Sequence, residues 1–309
     1  MNSKLLYDVH HVTEITAIAC YQWIGKGDNF AADTSAVNVM RQELNKLEIN
    51  STIVISEGER DRSSMLHIGE VLGKGDEQVE IAVDPLEGTT ICARGDLGAM
   101  SVIALSSKGS FLSAPDLYME KIAIAAKYPH EIIDINKSIK ENIFNVMQHK
   151  DCRPHDFVVS ILDRKRHQHI ISEVRTLGVK VKLIRDGDIS AIIEAVSHNS
   201  EVDIYFGIGG APEGVLAAAA LKTIGGRMQS KLLFTNDKQI CRANNMGIND
   251  ITKIYEVDDL VKEDVIFCAT GVTNGYLLNG VYKKNNQFIT ETLLLDSLNK
   301  KSYKIQTIK

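Results

Sequence analysis

Apolar residues recur at two spacings along this chain, and the change from one to the other separates helices from strands. Val12, Ile15, Ile18 and Ala19 fall three and four apart, which predicts a helix over residues 9–24. Val37, Met40, Leu44 and Leu47 repeat that spacing, so a second helix is predicted after Asp33-Thr34-Ser35, with a short polar residue as its cap. Four apolar runs then read as buried strands: TIVIS (52–56), EIAVD (80–84), MSVIALSS (100–107) and YMEKIAIAA (118–126). The first delivers Glu57 at its C-terminal end and the second delivers Asp84.

After the polar stretch QHKDCRPHD (148–156) the rhythm becomes a regular alternation. Strand FVVSILD (157–163) precedes a charged helix around 165–177, VKVKLI (179–184) precedes ISAIIEAVS (189–197), and DIYFGIGG (203–210) precedes an alanine-rich helix over 214–223. Strands alternating with helices predict an α/β protein whose sheets are covered by helices. The polar stretch predicts a junction between an N-terminal α/β subdomain, residues 1–150, and a C-terminal one, residues 151–309.

Composition narrows the class without naming it. With 44% hydrophobic and 24% charged residues in 309, the chain is an ordinary globular one. A net charge of −5 supplies no positive field for nucleic acid or an anionic membrane, so neither is expected as a partner. The five cysteines, at 20, 92, 152, 241 and 268, are odd in number and show no C-x-x-C spacing, which argues against a disulfide framework and a zinc ribbon. Asp8, His10, His11 and Glu14 interrupt the N-terminal apolar residues, and GVLAAAALKTIGG is too short and alanine-rich to span a bilayer. A cytoplasmic location is expected.

The stretch IAVDPLEGTT (81–90) carries the chemistry. An apolar strand runs into Asp84, a proline, Glu87, Gly88 and two threonines. Proline restricts both itself and the residue before it, and glycine permits a tight turn, so Thr89-Thr90 can open a short helix around Ile91–Arg94. The amides of such a start suit an anion. Asp33, Glu57, Asp84, Glu87 and Glu213 all stand near strand ends or helix starts. Carboxylates gathered together repel unless a cation neutralises them, and oxygen donors without matching thiol or histidine spacing favour Mg²⁺ or Mn²⁺ over zinc. Singly, each is more often a solvated loop residue.

Other signals are read more plainly. GIGGAPEG, residues 207–214, lacks the G-x-G-x-x-G spacing and puts Pro212-Glu213 where phosphate-binding amides would be needed, so it is not read as a nucleotide loop. His167 and His169 do not share a helix face and are read as surface residues, and His10-His11 as a polar pair at a helix start. Cys92 is read as a packed, unreactive thiol, and Trp23 with Tyr21 as an anchor for the first helix.

The pattern D-P-[IL]-[DE]-G-[ST] resembles the signature of the lithium-sensitive, metal-dependent sugar and inositol phosphatases. Further blocks in order resemble the class II, GlpX-type fructose-1,6-bisphosphatases: VTEITAIACYQWIGKGD, AADTSAVNVMR, TIVISEGERD, SAPDLYMEKIAI, SEVDIYFGIGGAPEGV, CRANNMGI, IFCATGVTNGYLL and TETLLL, from about residue 12 to 295. The resemblance implies a layered αβαβα sandwich of the sugar-phosphatase type. It implies divalent metals, Mn²⁺ or Mg²⁺, on Asp33, Glu57, Asp84, Glu87 and Glu213. It implies substrate contacts from Glu87, Gly88 and Thr89 at the scissile phosphate, and from Tyr118, Arg164-Lys165-Arg166, Asp186-Gly187-Asp188 and Gly210 at the sugar and the retained phosphate. Thr89 is expected to orient the attacking water and Glu57 to accept its proton.

The implied reaction is hydrolysis of the 1-phosphate of D-fructose 1,6-bisphosphate to fructose 6-phosphate, the gluconeogenic direction, by a homo-oligomer acting on a small sugar bisphosphate. The alternatives are an enzyme that also uses sedoheptulose 1,7-bisphosphate and a catalytically silent sugar-phosphate-binding protein. The chain departs from the family where GKGDN puts Asn29 in place of a common lysine, and where SEGERDRSSML adds Arg60 and Arg62 beside Glu57.

Overall fold

Two mixed β-sheets are interleaved with three layers of helix in the computed structural model, which describes residues 3–56 and 66–309. Glu57, Arg60 and Arg62 lie outside the described residues. The chain opens with helix α1 (Ser3–Cys20) and helix α2 (Asn29–Leu44). Helix α1 starts and ends earlier than its spacing predicts, giving way to a short 3-10 turn at Tyr21–Trp23. Helix α2 begins ahead of Asp33-Thr34-Ser35 because Asp28 is the cap, its carboxylate accepting from the Ala31 amide at 2.9 Å. Asp33 is therefore carried inside the helix.

The first sheet collects strands β1 (Asn50–Ser56), β2 (Val71–Leu72), β3 (Gln78–Glu87), β4 (Met100–Ser107), β11 (Val265–Gly271), β12 (Tyr282–Lys284), β13 (Gln287–Asp296) and β14 (Lys301–Ile308). Their order is β12-β13-β11-β4-β3-β1-β2, with β14 also on β13. The second sheet, β10-β9-β5-β8-β6-β7, contains β5 (Tyr118–Ile124), β6 (Val158–Leu162), β7 (Lys180–Ile184), β8 (Ile204–Gly210), β9 (Arg227–Leu233) and β10 (Tyr255–Glu256). The polar stretch 148–156 falls between helix α4 (Ile139–Lys150) and β6. Strand β5, from before that stretch, joins β8 and β9 from after it, and β11, β13 and β14 return to the first sheet beside β4.

Three apolar cores set the layering. Helices α1 and α2 cover the outer face of the first sheet through Val9, Val12, Met40 and Leu44 against Ile81, Val83 and Ile103. Helix α4 and helix α5 (Gln168–Thr176) cover the outer face of the second, where Ile143, Val146, Ile170 and Val174 meet Phe157, Val159 and Ile161. Between the sheets lie helix α6 (Asp188–Val196) and helix α7 (Ala211–Ile224). Residues 217–220 of α7 are four alanines with no exposed surface, and a helix apolar all round is one buried on every side. Small side chains let both sheets approach it. The result is the αβαβα sandwich the resemblance implies.

Candidate active site

Strand β3 does not stop at Asp84 as its pattern suggests but runs on to Glu87. In an unbroken strand residues three apart point to opposite faces. Here the register against β4 shifts between them, with Asp84 opposite Val102 and Glu87 opposite Met100. Those partners are two apart on one face, so the extra residue of the bulge turns both carboxylates to the same side. Pro85 is tolerated in the bulge because a proline has no amide to leave unpaired in the ladder. Val102 and Met100 belong to the core between the sheets, so Asp84 and Glu87 face the inner layer, where α6 and α7 begin.

Both helix starts bring charge to that point. Glu213 lies in the first turn of α7, and Glu87 accepts through Oε1 from the Ile189 amide of α6 at 2.9 Å. Asp84 accepts through Oδ1 from the Leu86 amide at 3.2 Å. Three carboxylate oxygens at this point are then left buried and without a hydrogen-bond partner: Asp84 Oδ2, Glu87 Oε2 and Glu213 Oε2. Burial, Glu213 and Asp33 push the Asp84 carboxyl well above the ordinary range, against the Leu86 amide. Burial, Asp84 and Glu213 do the same to Glu87. Asp33, half-buried on α2, is thus close enough to Asp84 to repel it.

Orphaned buried oxygens on mutually repelling carboxylates fit a hard divalent cation, which needs oxygen donors and neutralises them. Among the described residues no three histidine, cysteine or carboxylate side chains are gathered closely enough to hold a metal ion as they stand. Glu57, the remaining sequence candidate, lies outside the described residues, just past β1, which pairs with β3 as far as Ser56 opposite Val83.

Asp188 is differently placed. It is 4% exposed, and both its oxygens are taken, one by Tyr205 Oη and one by the buried Lys121 Nζ. The same Nζ donates to the Gly210 carbonyl at 2.8 Å, tying β5 to the start of α7. Two glycines of GIGGAPEG make room for this arrangement. A Cβ on Gly209 would stand 2.1 Å from Asp188 Oδ2, and one on Gly210 would stand 2.0 Å from Glu213 Oε2. The loop's glycines serve space for carboxylates, not a pyrophosphate.

Gly210→Ala accordingly separates folding from function. The obstructing atom ends a flexible side chain, so the variant folds within about 1 kcal/mol of wild type while the Glu213 carboxylate is displaced. Any catalytic activity of the site falls about a hundredfold, since misplacing a reacting group by an ångström costs that much. Circular dichroism and steady-state kinetics on one preparation check both halves.

Thr89 and Gly88 sit beside the carboxylates. Gly88 caps helix α3 (Thr89–Arg94) with φ 81°, a left-handed conformation that only glycine adopts without strain. Asn29 Nδ2 donates to Thr90 Oγ1 at 3.2 Å, joining α2 to α3. Cys92 is buried, as expected, and burial pushes its thiol up to about 11. All five cysteines are free.

On the second sheet, Tyr118 lies opposite Gly210 in the β5–β8 ladder. The Arg166 guanidinium stands 4.9 Å from the Tyr118 ring centre, and Arg164 pairs with Asp186 at 2.6 Å. Lys165 is exposed. Gly187, at φ 92°, turns the chain from Asp186 into α6. The structure therefore sets Asp33 and Glu213 close enough to Asp84, and Asp84 and Glu213 close enough to Glu87, for their charges to interact, while separately Arg164 pairs with Asp186 and Arg166 stands over Tyr118, itself opposite Gly210. A cavity of about 370 Å³ opens past Asp186, between the turn at 95–98 and the loop at 273–278, and none of the candidate metal ligands lines it.

Two histidine readings are corrected. His167 has no exposed surface and His10 is 7% exposed, within α1 rather than at its start. Polarity alone does not mark a buried histidine whose ring nitrogen accepts a backbone bond, as His167 does from Ile208 at 2.8 Å. Sequence reasoning also missed Lys121, whose flanking Tyr118-Met119-Glu120 looks like ordinary strand alternation.

A sequence profile described as "Bacterial fructose-1,6-bisphosphatase, glpX-encoded" matches residues 3–309. The chain belongs to that family. The "Fructose-1,6-bisphosphatase class 2" of Haemophilus influenzae is 40% identical over 325 residues, covering 100% of this chain and 96% of the relative. The "Fructose-1,6-bisphosphatase 1 class 2" of Escherichia coli is 42% identical over 323 residues with the same coverage. At 37% over 334 residues, again covering 100% and 96%, stands the "D-fructose 1,6-bisphosphatase class 2/sedoheptulose 1,7-bisphosphatase" of Trichodesmium erythraeum. Among solved structures, an inositol monophosphatase from Anabaena (Nostoc) sp. aligns over 73% of this chain and 83% of its own, at 16% identity and a TM-score of 0.39.

Proposed function

We propose that the protein is a metal-dependent phosphatase that hydrolyses the 1-phosphate of D-fructose 1,6-bisphosphate, releasing fructose 6-phosphate and inorganic phosphate. Membership of the class 2 fructose-1,6-bisphosphatases supports the reaction. The observation that carries the site is the set of buried, unpartnered oxygens on Asp84, Glu87 and Glu213. A purely sugar-binding module gains nothing from burying repelling carboxylates beside a phosphate, so the silent alternative is disfavoured.

Asp33, Asp84, Glu87 and Glu213, with Glu57, would hold Mg²⁺ or Mn²⁺. Bound there, a divalent cation would neutralise phosphoryl charge and acidify water. Thr89 orients the water by its hydroxyl and Glu57 takes its proton, threonine being too weak a base to act alone. The amides at Gly88 and Thr89 hold the scissile phosphate. Arg164, Lys165 and Arg166 clamp the phosphate that is kept, where a guanidinium fork suits its oxygens, and Tyr118 lies under Arg166. Asp186, Gly187, Asp188 and Gly210 shape the span between, Asp188 through its bonds to Lys121 and Tyr205.

A second substrate, sedoheptulose 1,7-bisphosphate, is favoured by several relatives at 37–38% identity that are named for both activities. It shares the ketose-phosphate end, so the metal site would serve both. Among the described residues no helix is long and apolar enough to cross a membrane. Phosphate release from both bisphosphates by the purified protein, with Mn²⁺, Mg²⁺ or EDTA, tests the reading. Metal-dependent release from the fructose substrate is expected; no release with either cation from folded protein would overturn it.

A further inference from the structure

One backbone unit of β8 ties the side chains of the basic turn to the second sheet. Strand β6 pairs with β8 only as far as Ile161 opposite Phe206. Two residues further along β8, the amide and carbonyl of Ile208 face the place that β6 has left. A buried backbone group without a partner costs about as much as a lost hydrogen bond. Consecutive side chains of the turn fill both places. His167 Nε2 accepts from the Ile208 amide at 2.8 Å, and Arg166 Nε donates to the Ile208 carbonyl at 2.6 Å.

We propose that His167 is a positioning residue for the sugar-phosphate clamp: its bond to Ile208 fixes the turn that aims Arg166 across Tyr118. The inference rests on the reading of Arg164, Lys165 and Arg166 as that clamp. Arginine bonded through Nε keeps its two terminal nitrogens for an anion, but only while the turn is held. Arg166 alone makes one bond to Ile208, about which the turn can swivel; the second bond from the adjacent residue removes that freedom. The ring is suited to the task. Burial and the Arg166 charge hold its pKa down to about 4, so Nε2 keeps its lone pair at neutral pH. Accepting at Nε2 places the ring proton on Nδ1.

A histidine that merely filled the core would affect stability and spare selectivity between substrates. The test therefore compares fructose 1,6-bisphosphate with p-nitrophenyl phosphate, which carries only the phosphate to be cleaved. His167→Leu, His167→Asn and His167→Gln are measured against wild type, with folding checked by circular dichroism and thermal melting. Glutamine can put Oε1 near the Nε2 position, whereas asparagine is too short and leucine has no acceptor. The ratio of kcat/KM for the bisphosphate to that for the monoester is expected to fall about tenfold in Leu and Asn, through KM, and to stay within about twofold of wild type in Gln. Arg166→Ala should lower the same ratio, and adding His167→Leu to it should cost less than the two separate effects combined.

If His167→Leu does not fold, the Asn and Gln pair carries the comparison. An unchanged ratio in folded Asn, or Gln no better than Asn, overturns the proposal. A wild-type enzyme that hydrolyses the monoester but not the bisphosphate removes the clamp reading and this inference with it, a different result from intact bisphosphatase activity insensitive to His167.

Discussion

Phosphate release falls by about a thousandfold or more when Asp84 is replaced by asparagine, while the metal-free variant is more stable than the metal-free wild type. The two effects share one cause. Asp84 Oδ2 is buried without a partner, and Glu213 and Asp33 repel its charge. An amide of the same shape removes that repulsion, and about 1–2 kcal/mol of stabilisation is expected where a raised carboxyl pKa records the strain. A cation, however, loses an anionic ligand that an amide does not replace. Glu213→Gln is expected to show a comparable loss of turnover. Phosphate assays with saturating Mn²⁺ and urea unfolding in EDTA measure the two quantities on the same samples. Wild-type turnover in both variants would remove these carboxylates from the site. A marked destabilisation of metal-free Asp84→Asn would mean that the carboxylate has a favourable partner the structure does not show.

This opposition between stability and function explains which parts of the molecule can be read from its sequence. Strand β4 occupies residues 100–107, as its apolar run indicates, because it is buried on both faces and its serines, Ser101, Ser106 and Ser107, stand towards its ends and leave Val102–Leu105 unbroken. Strand β13 escapes that reading. In β13, Thr290 and Thr292 are buried, and Thr292 bonds Thr270 of β11 at 2.8 Å, which in turn donates to Thr13 of α1 at the same distance. Satisfied hydroxyls in a core look polar in sequence and behave as interior residues in the fold. Strand β14 is legible for neither reason, being an exposed strand whose alternation faces solvent.

The site divides in the same way. Asp84 and Glu87 stand out because carboxylates at a strand end break an apolar run, but their shared face depends on a bulge visible only in the register with β4. Gly209 and Gly210 stand out as glycines, while the atoms that need their missing Cβ groups belong to Asp188 and Glu213. Lys121 and His167 were hidden because their hydrogen-bond partners lie across tertiary contacts, Asp188 and Gly210 for Lys121 and the Ile208 amide for His167 Nε2, while His167 Nδ1 is buried without a partner. Which side chains meet was thus less legible than which ones carry chemistry.

The metal-free protein should lose stability as pH rises above the ordinary carboxylate range, and a divalent cation should reverse the trend. Asp84 and Glu87 have folded-state pKa values raised well above 3.8 and 4.5, chiefly by burial. Between those unfolded values and the raised ones, the folded state binds more protons than the unfolded, so stability falls with increasing pH. The slope approaches about 1.4 kcal/mol per pH unit for each extra proton held. Below about pH 4 both states are protonated at these positions and their contribution is flat. Cation and proton compete for the same oxygens, so binding strengthens as pH rises and expels the protons that stabilised the metal-free fold. At a hundred times its dissociation constant a cation contributes about 2.7 kcal/mol, several degrees in melting temperature for a chain of this size. Thermal melts from about pH 5 to 8 with EDTA or Mn²⁺ should therefore diverge, the gap widening towards the alkaline end. Parallel curves would show that these carboxylates do not hold the metal, and a gap that closes with rising pH would give the linkage the opposite sign.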